Sequence, residues 1–90
     1  MSSITNITVY GKHYCPYCKR AKAYLDGKQL SYHYIEVADN EENYQEMLNR
    51  IGENSPRTVP RIFFGDTLIG GCDDLLALPE NELNDLLTRG

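Results

Sequence analysis

Two cysteines stand three positions apart in this chain, between a run typical of a β-strand and a run typical of an α-helix. Residues 4–10 are rich in β-branched side chains, Cys15 and Cys18 follow, and helix-forming residues continue from about Pro16. Thiols at this spacing can meet within one turn of backbone. A Cys-x-x-Cys pair at the start of a helix, in a small chain with a βαβ pattern, is typical of a thiol–disulfide exchange site.

The length and composition of the chain indicate one globular domain. Its 90 residues are 41% hydrophobic and 24% charged, and we expect a single domain over residues 1–90. No apolar stretch approaches the length of a membrane span, and the first residues lack the basic and apolar regions of a secretory signal, so we expect a cytoplasmic protein without a membrane partner. Three cysteines, an odd number, argue against a structural disulfide framework.

The charges are unevenly distributed along the chain. Residues 12–28 contain five bases and one acid, whereas residues 36–53 contain six acids and one base. The two segments fit solvated helix faces of opposite sign, and the basic one would also favour a thiolate and an anionic substrate near Cys15. The net charge of −4 and the absence of bases interleaved with exposed aromatics exclude a recognisable nucleic-acid interface.

Hydrophobic spacing and turn residues predict alternating strands and helices. The pattern places strands at residues 4–10, 32–37, 61–64 and 67–69, and helices at residues 16–26, at about 39–51 and in a last region that Pro79 interrupts. Gly27 and Gly52 are expected to end the first two helices, and Asp39 with Glu42 predicts an acidic capping box. The order β-α-β-α-β-β-α predicts an α/β fold with a four-stranded mixed sheet and helices on both faces.

Three motifs together carry a resemblance to a known family. They are Cys15-Pro16-Tyr17-Cys18, Thr58-Val59-Pro60 and Gly70-Gly71-Cys72-Asp73-Asp74, and Lys12 stands three residues before the first cysteine. The chain resembles the glutaredoxins, of the thioredoxin-fold superfamily, over essentially its whole length, and most of all their small bacterial and phage members. The resemblance implies a thioredoxin fold, glutathione as cosubstrate without a permanently bound cofactor, and a monomer.

The resemblance also implies a glutathione-dependent thiol–disulfide oxidoreductase. Cys15 is the expected nucleophile, because the unpaired N–H groups and the dipole at a helix N-terminus favour a thiolate. Cys18 is expected one turn deeper, where it would resolve a mixed disulfide by forming the Cys15–Cys18 bond. The implied substrates are protein disulfides and glutathionylated proteins, with ribonucleotide reductase as a plausible acceptor.

The same resemblance implies the glutathione-binding residues. Pro60 is expected in the cis form, which leaves the Val59 backbone free to pair with an extended substrate. The helix start after Gly71 is expected to hold the γ-glutamyl group, although Asp73 or Asp74 would serve equally as a simple helix cap. The expected binding residues are Lys12, Tyr17, Thr58, Val59, Pro60, Gly71, Cys72, Asp73 and Asp74.

Several assignments stay open at this point. Arg57 and Arg61 both stand close enough in sequence to border the groove, and the sequence does not show which of them faces it. Family members often place a polar glutathione contact on the second helix, and in this chain either Tyr44 or Gln45 would take that position.

Two other functions also fit parts of the sequence. A glutaredoxin-like protein served by thioredoxin reductase would use the same cysteine pair, although the residues of the expected glutathione site speak against it. A metal site of Cys15 and Cys18 with Cys72 or His13 is the second alternative. Zinc sites usually need four ligands at recognisable spacing, and the chain has no second Cys-x-x-Cys and no His pair.

Overall fold

Four strands and four helices make up the part of the chain that the structure, a computed structural model, describes: residues 6–53 and 55–88. In chain order they are β1 (Ile7–Gly11), α1 (Pro16–Gly27), β2 (His33–Glu36), α2 (Glu41–Ile51), β3 (Arg61–Phe64), β4 (Thr67–Gly70), α3 (Cys72–Leu76) and α4 (Glu80–Thr88).

The four strands form one mixed sheet in the order β2-β1-β3-β4. β1 runs parallel to β2, with Val9 opposite Tyr34, and antiparallel to β3, with Val9 opposite Ile62. β3 and β4 form an antiparallel hairpin, and Gly65 in its two-residue turn has a φ of 62°, which glycine adopts at little cost. The predicted α/β fold with a mixed four-stranded sheet is therefore confirmed.

Alternation along the strands divides the core between the two faces of the sheet. On one face the buried residues of β1 and β3 pack against α1, α3 and α4, and this cluster is Ile7, Val9, Ala21, Leu25, Ile62, Phe64, Cys72, Leu75 and Leu83. On the other face they pack against α2, and this cluster is Tyr10, Val37, Met47, Ile51 and Phe63. Each fully buried large apolar side chain contributes about 1.5–3 kcal/mol, so both layers hold the sheet in place.

β1 and β2 are shorter than the sequence predicts, β3 has the predicted bounds, β4 is one residue longer, and one helix begins at a different cap. Part of the first predicted strand, residues 4 and 5, lies outside the described residues. The predicted capping box at Asp39 is wrong. Asn40 caps α2 instead, because its Oδ1 accepts from the N–H of Asn43 at 3.0 Å, while the Asn43 side chain donates to the carbonyl of Glu36 at 2.9 Å. These two bonds fix the first turn one residue later than predicted.

Glycine and proline residues mark the ends of the other helices. α1 ends at Gly27 as predicted, but the residue with a positive φ is Gln29, at 60°. Gly52 ends α2 with a φ of 81°. The last helical region is divided into α3 and α4, because Pro79 cannot continue a helix from within, while its carbonyl accepts the first bond of α4 from the N–H of Leu83 at 2.9 Å.

Among the helices of residues 6–53 and 55–88, none combines the length and the apolar character that crossing a membrane requires.

The cap assignment gives a direct test. Asn40→Ala removes the side-chain acceptor of the Asn43 N–H and should lower the free energy of unfolding by about 1 kcal/mol. Asp39→Ala is the matched control, since the Asp39 side chain is 87% exposed, and it should change stability by less than about 0.5 kcal/mol. Urea denaturation followed by circular dichroism measures both. Equal losses in the two variants would contradict the assignment.

Candidate active site

The turn between β1 and α1 places Cys15 at the N-cap of α1. The N–H of Cys15 donates to the carbonyl of Lys12 at 3.0 Å, and the carbonyl of Cys15 accepts the first helical bond from the N–H of Lys19 at 3.1 Å. Pro16 occupies the first helical turn, where its missing N–H costs nothing. Cys15 is half-buried, and its Sγ lies 3.9 Å from the carbonyl oxygen of Val59. The sulfur therefore sits at the positive end of α1 and beside the strand-like segment before β3.

Cys18 lies one turn further into α1 and is fully buried. Its Sγ accepts from the backbone N–H of Lys12 at 3.5 Å. Gly11 packs directly against it, since a Cβ at Gly11 would lie 2.9 Å from this sulfur. Burial raises the pKa of Cys18 to about 12, although the N–H of Lys12 acts in the opposite direction. Cys15, Cys18 and Cys72 are all free thiols in this structure.

A cleft of about 400 Å³ opens beside Cys15. It is bounded by three segments that are distant in sequence, and its lining residues are Tyr17, Thr58, Val59, Pro60, Arg61, Gly71, Cys72, Asp73 and Asp74. The Val59–Pro60 peptide bond is cis, as expected. All the predicted binding residues except Lys12 line this cleft.

The far wall of the cleft is the start of α3. The N–H of Gly71 donates to Asp74 Oδ2 at 2.9 Å, so the Asp74 carboxylate caps this helix. Gly70 is required behind it, because its φ is 124° and a Cβ there would collide with the Asp74 carboxylate. The Asp73 side chain is exposed and accepts no hydrogen bond from the described residues. Cys72 is buried, and burial raises the pKa of its thiol.

Lys12 lies outside the cleft. It lines a neighbouring hollow of about 350 Å³ together with Tyr44 and the N-terminal turn of α2. Lys12 contacts the cysteine pair through its backbone. Its carbonyl accepts from the N–H of Cys15, and its N–H donates to the Cys18 sulfur. Of the two candidates on α2, Tyr44 is therefore the one next to Lys12. Gln45 and Arg57 line a separate hollow further along α2.

Arg61 is a cleft residue that the sequence did not single out over Arg57. Among the described residues, Arg61 is the charged residue that is buried, with 8% of its surface exposed. Its Nε donates to the carbonyl of Pro60 at 3.1 Å. The sequence signal is weak: a charged residue occupies the first position of an otherwise apolar strand, directly after the Pro of the second motif.

Glu36 was also missed, and it anchors the turn that carries Cys15. Its carboxylate accepts from the N–H groups of His13 and Ala38, each at 3.1 Å, and from the Tyr34 hydroxyl at 3.0 Å. Burial alone would raise the pKa of Glu36, but the N–H of Ala38, the Tyr34 hydroxyl and the N–H of His13 hold it below its usual range. Tyr34 and Ala38 stand two positions from Glu36 in sequence, but only the fold brings His13 to the carboxylate, and the sequence carries no signal for that contact.

Basic residues of α1 surround the site. Arg20 lies over the Tyr17 ring at 5.8 Å, and Lys22 lies over the Tyr34 ring at 4.1 Å. This part of the predicted basic segment therefore adds positive charge beside the two cysteines. Within the described ranges, no three His, Cys, Asp or Glu side chains are grouped closely enough to hold a metal ion.

Comparisons with known proteins agree with this geometry. A family model described as Glutaredoxin matches residues 7–69. Glutaredoxin 3 of Escherichia coli K12 is 44% identical over 75 residues, which cover 83% of this chain and 87% of that protein. Glutaredoxin 1 of Rickettsia prowazekii is 41% identical over 88 residues, which cover 96% of this chain and 90% of the relative.

Solved structures give the same match in three dimensions. The solution structure of glutaredoxin from Brucella melitensis superposes with a TM-score of 0.73 at 42% identity, over 96% of this chain and 91% of that one. The crystal structure of a buckwheat glutaredoxin–glutathione complex superposes with a TM-score of 0.73 at 32% identity, over 91% of this chain and 76% of that one.

The Glu36 anchor predicts a pH-dependent stability. Glu36→Gln weakens the bonds from His13, Ala38 and Tyr34, and it should cost about 1–2 kcal/mol at pH 7. Because the folded pKa of Glu36 is lowered, its contribution is present above the unfolded value of about 4.3 and is lost as the pH falls through the folded value. The difference in unfolding free energy between wild type and variant should therefore shrink by pH 3.

Urea denaturation at pH 7 and pH 3 measures this difference. Glu53→Gln is the control, since Glu53 is exposed and makes no hydrogen bond to the described residues. A Glu36→Gln penalty that is equally large at both pH values would show that the carboxylate charge has no part in the anchor.

Proposed function

Because the chain belongs to the glutaredoxin family, we propose that Cys15 and Cys18 are the redox pair of a glutathione-dependent thiol–disulfide oxidoreductase. Membership of the family establishes the class of enzyme. The roles of individual residues, the substrates and the cellular setting are the proposal.

One observation carries the assignment of roles. The accessible Cys15 sulfur lies at the N-cap of α1, beside the cleft and 3.9 Å from the Val59 carbonyl, whereas Cys18 is buried behind it. A helix N-terminus favours negative charge, and the thiolate is the attacking species in thiol–disulfide exchange. The attacking sulfur and the substrate groove are thus next to each other.

The monothiol route needs Cys15 alone. The Cys15 thiolate attacks the glutathione sulfur of a mixed disulfide, so that the Cys15–glutathione bond forms and the protein thiolate leaves and takes up a proton. The thiolate of a second glutathione then attacks this new bond. Oxidised glutathione leaves, and the Cys15 thiolate is restored.

The dithiol route adds Cys18. Cys15 attacks a protein disulfide and forms a mixed disulfide with one of its sulfurs. Cys18 then loses its proton and attacks Cys15, which forms the Cys15–Cys18 disulfide and releases the protein dithiol. Two glutathione molecules then reduce the Cys15–Cys18 disulfide to two thiols and leave joined as oxidised glutathione. Because burial raises the pKa of Cys18, its attack is slow at neutral pH and leaves time for the monothiol route.

The cleft residues supply the binding. A buckwheat relative forms a complex with glutathione, and we extend that ligand to this chain. The Val59 backbone would pair with the cysteinyl part of glutathione, and Tyr17 would cover it from the other side. The Asp73 carboxylate, which is exposed and accepts no hydrogen bond from the described residues, would accept from the γ-glutamyl ammonium, while Asp74 caps the start of α3.

Exposed aromatic side chains beside Cys15 support a protein as the disulfide substrate. Tyr14 and Tyr17, 62% and 53% exposed, flank Cys15 and offer apolar surface to a docking protein segment. We propose ribonucleotide reductase as one such acceptor, and a cytoplasmic location, where glutathione keeps thiols reduced.

Single substitutions separate the two routes. Cys15→Ser should abolish reduction of a glutathionylated peptide, because the nucleophile is gone. Cys18→Ser should keep that activity within about threefold and lose reduction of intramolecular protein disulfides. NADPH oxidation coupled through glutathione and glutathione reductase measures both, with thioredoxin reductase replacing them as the control. Full activity of Cys15→Ser, or turnover with thioredoxin reductase alone, would contradict the proposal.

The buried Cys18 also predicts a pH dependence. With a pKa of about 12, its thiolate fraction rises about tenfold for each pH unit over the range in which the protein is studied. Release of a fluorescent peptide from a Cys15–peptide mixed disulfide should therefore accelerate steadily from pH 6 to pH 9 without a plateau. Stopped-flow fluorescence follows the release, and Cys18→Ser should lack this phase. A plateau below pH 8 would contradict the prediction.

A further inference from the structure

Arg61 is buried in the wall of the cleft without a countercharge among the described residues. It has 8% of its surface exposed and occupies the first position of β3, directly after the cis bond to Pro60. Among residues 6–53 and 55–88, the Lys28–Glu80 ion pair and the His13–Asp39 contact both lie away from Arg61, and neither includes it. Burying a cation without a partner is costly, so the position calls for an anion.

The guanidinium of Arg61 keeps donors available on the cleft side. Its Nε is used by the carbonyl of Pro60, at 3.1 Å. Its Nη2 lies against Gly71, because a Cβ at Gly71 would be 2.9 Å from that atom, and Gly71 also lines the cleft. Every fully buried side-chain nitrogen or oxygen of the described residues has a hydrogen-bond partner, so the unpaired Nη atoms of Arg61 are not fully buried, and Arg61 lines the cleft. Gly71 thus leaves the space in which the guanidinium lies.

The neighbours of Arg61 indicate which anion fits. Asp73 lines the same cleft two positions after Gly71, the residue against which Arg61 Nη2 lies, and its exposed side chain accepts no hydrogen bond from the described residues. A cationic donor fork and a carboxylate in the same cleft suit a ligand that carries a carboxylate and an ammonium on one carbon. An arginine fork binds a carboxylate through two parallel bonds, which a lysine cannot match.

We propose that Arg61 determines substrate specificity by pairing with the α-carboxylate of the γ-glutamyl group of glutathione. The inference rests on the proposed function and adds a named partner for one group of its substrate. Arg61 is a binding residue here and takes no part in the exchange of sulfur bonds.

The test compares two substrates that differ only in the γ-glutamyl group. One peptide is prepared as its mixed disulfide with glutathione and also as its mixed disulfide with cysteinylglycine. For Arg61→Gln, KM for the glutathione substrate should rise about tenfold, with kcat within about twofold. KM for the cysteinylglycine substrate should stay within about twofold. Arg61→Lys, which keeps the charge and loses the fork, should fall between wild type and Arg61→Gln.

Arg57→Gln is the matched control. It removes the same charge four positions earlier, from a side chain that lines the separate hollow beside α2. An equal rise in KM for Arg57→Gln would show a general field effect and overturn the pairing. So would an equal rise for both substrates in Arg61→Gln. If Arg61→Gln does not fold, as thermal melting would show, Arg61→Lys decides between the same outcomes.

The comparison also separates this inference from the function it rests on. If wild type prefers the glutathione substrate and both Arg61 variants keep that full preference, only the pairing with Arg61 is wrong. If wild type shows no preference between the two substrates, the cleft does not recognise the γ-glutamyl group, and the proposed function fails with the inference.

Discussion

The turn that joins β1 to α1 is the constraint on which the site depends. The carbonyl of Lys12 holds the N–H of Cys15, the N–H of Lys12 holds the Cys18 sulfur, and the Glu36 carboxylate holds the N–H of His13 from the neighbouring strand. The exposed sulfur is therefore not on a free loop. Its position relative to Val59 is set by backbone bonds on both sides of the turn.

The cleft depends in turn on the packing of the sheet. Its walls come from α1, from the segment before β3 and from the start of α3, which are not adjacent in sequence. Buried side chains from β1 and β3 pack against α1 and α3 in one cluster, so the same apolar contacts that stabilise the domain also fix the width of the cleft.

Local patterns predicted most of the fold, and three motifs predicted most of the cleft. The hairpin, the mixed sheet and the apolar stripe of α2 follow from spacing and turn residues, which act over a few positions. The wrong cap of α2 arose where distant groups compete. Asp39 and Asn40 are both good caps in sequence, and only the bond from Asn43 to the Glu36 carbonyl chooses between them. Lys12 fits the family pattern by spacing, yet it lines the hollow beside Tyr44. Arg61 meets Gly71, and Glu36 meets His13, only in the folded chain.

The close contact between Gly11 and Cys18 limits how this chain can vary. A Cβ at Gly11 would lie 2.9 Å from the buried sulfur and 3.0 Å from the Tyr34 ring, whereas a Cβ at Gly27 would meet nothing within 4 Å. A side chain at Gly11 would have to displace either the Cys18 thiol or the ring of Tyr34, whose hydroxyl donates to Glu36. The space around Gly27 thus accepts a larger residue during evolution, whereas the space around Gly11 does not.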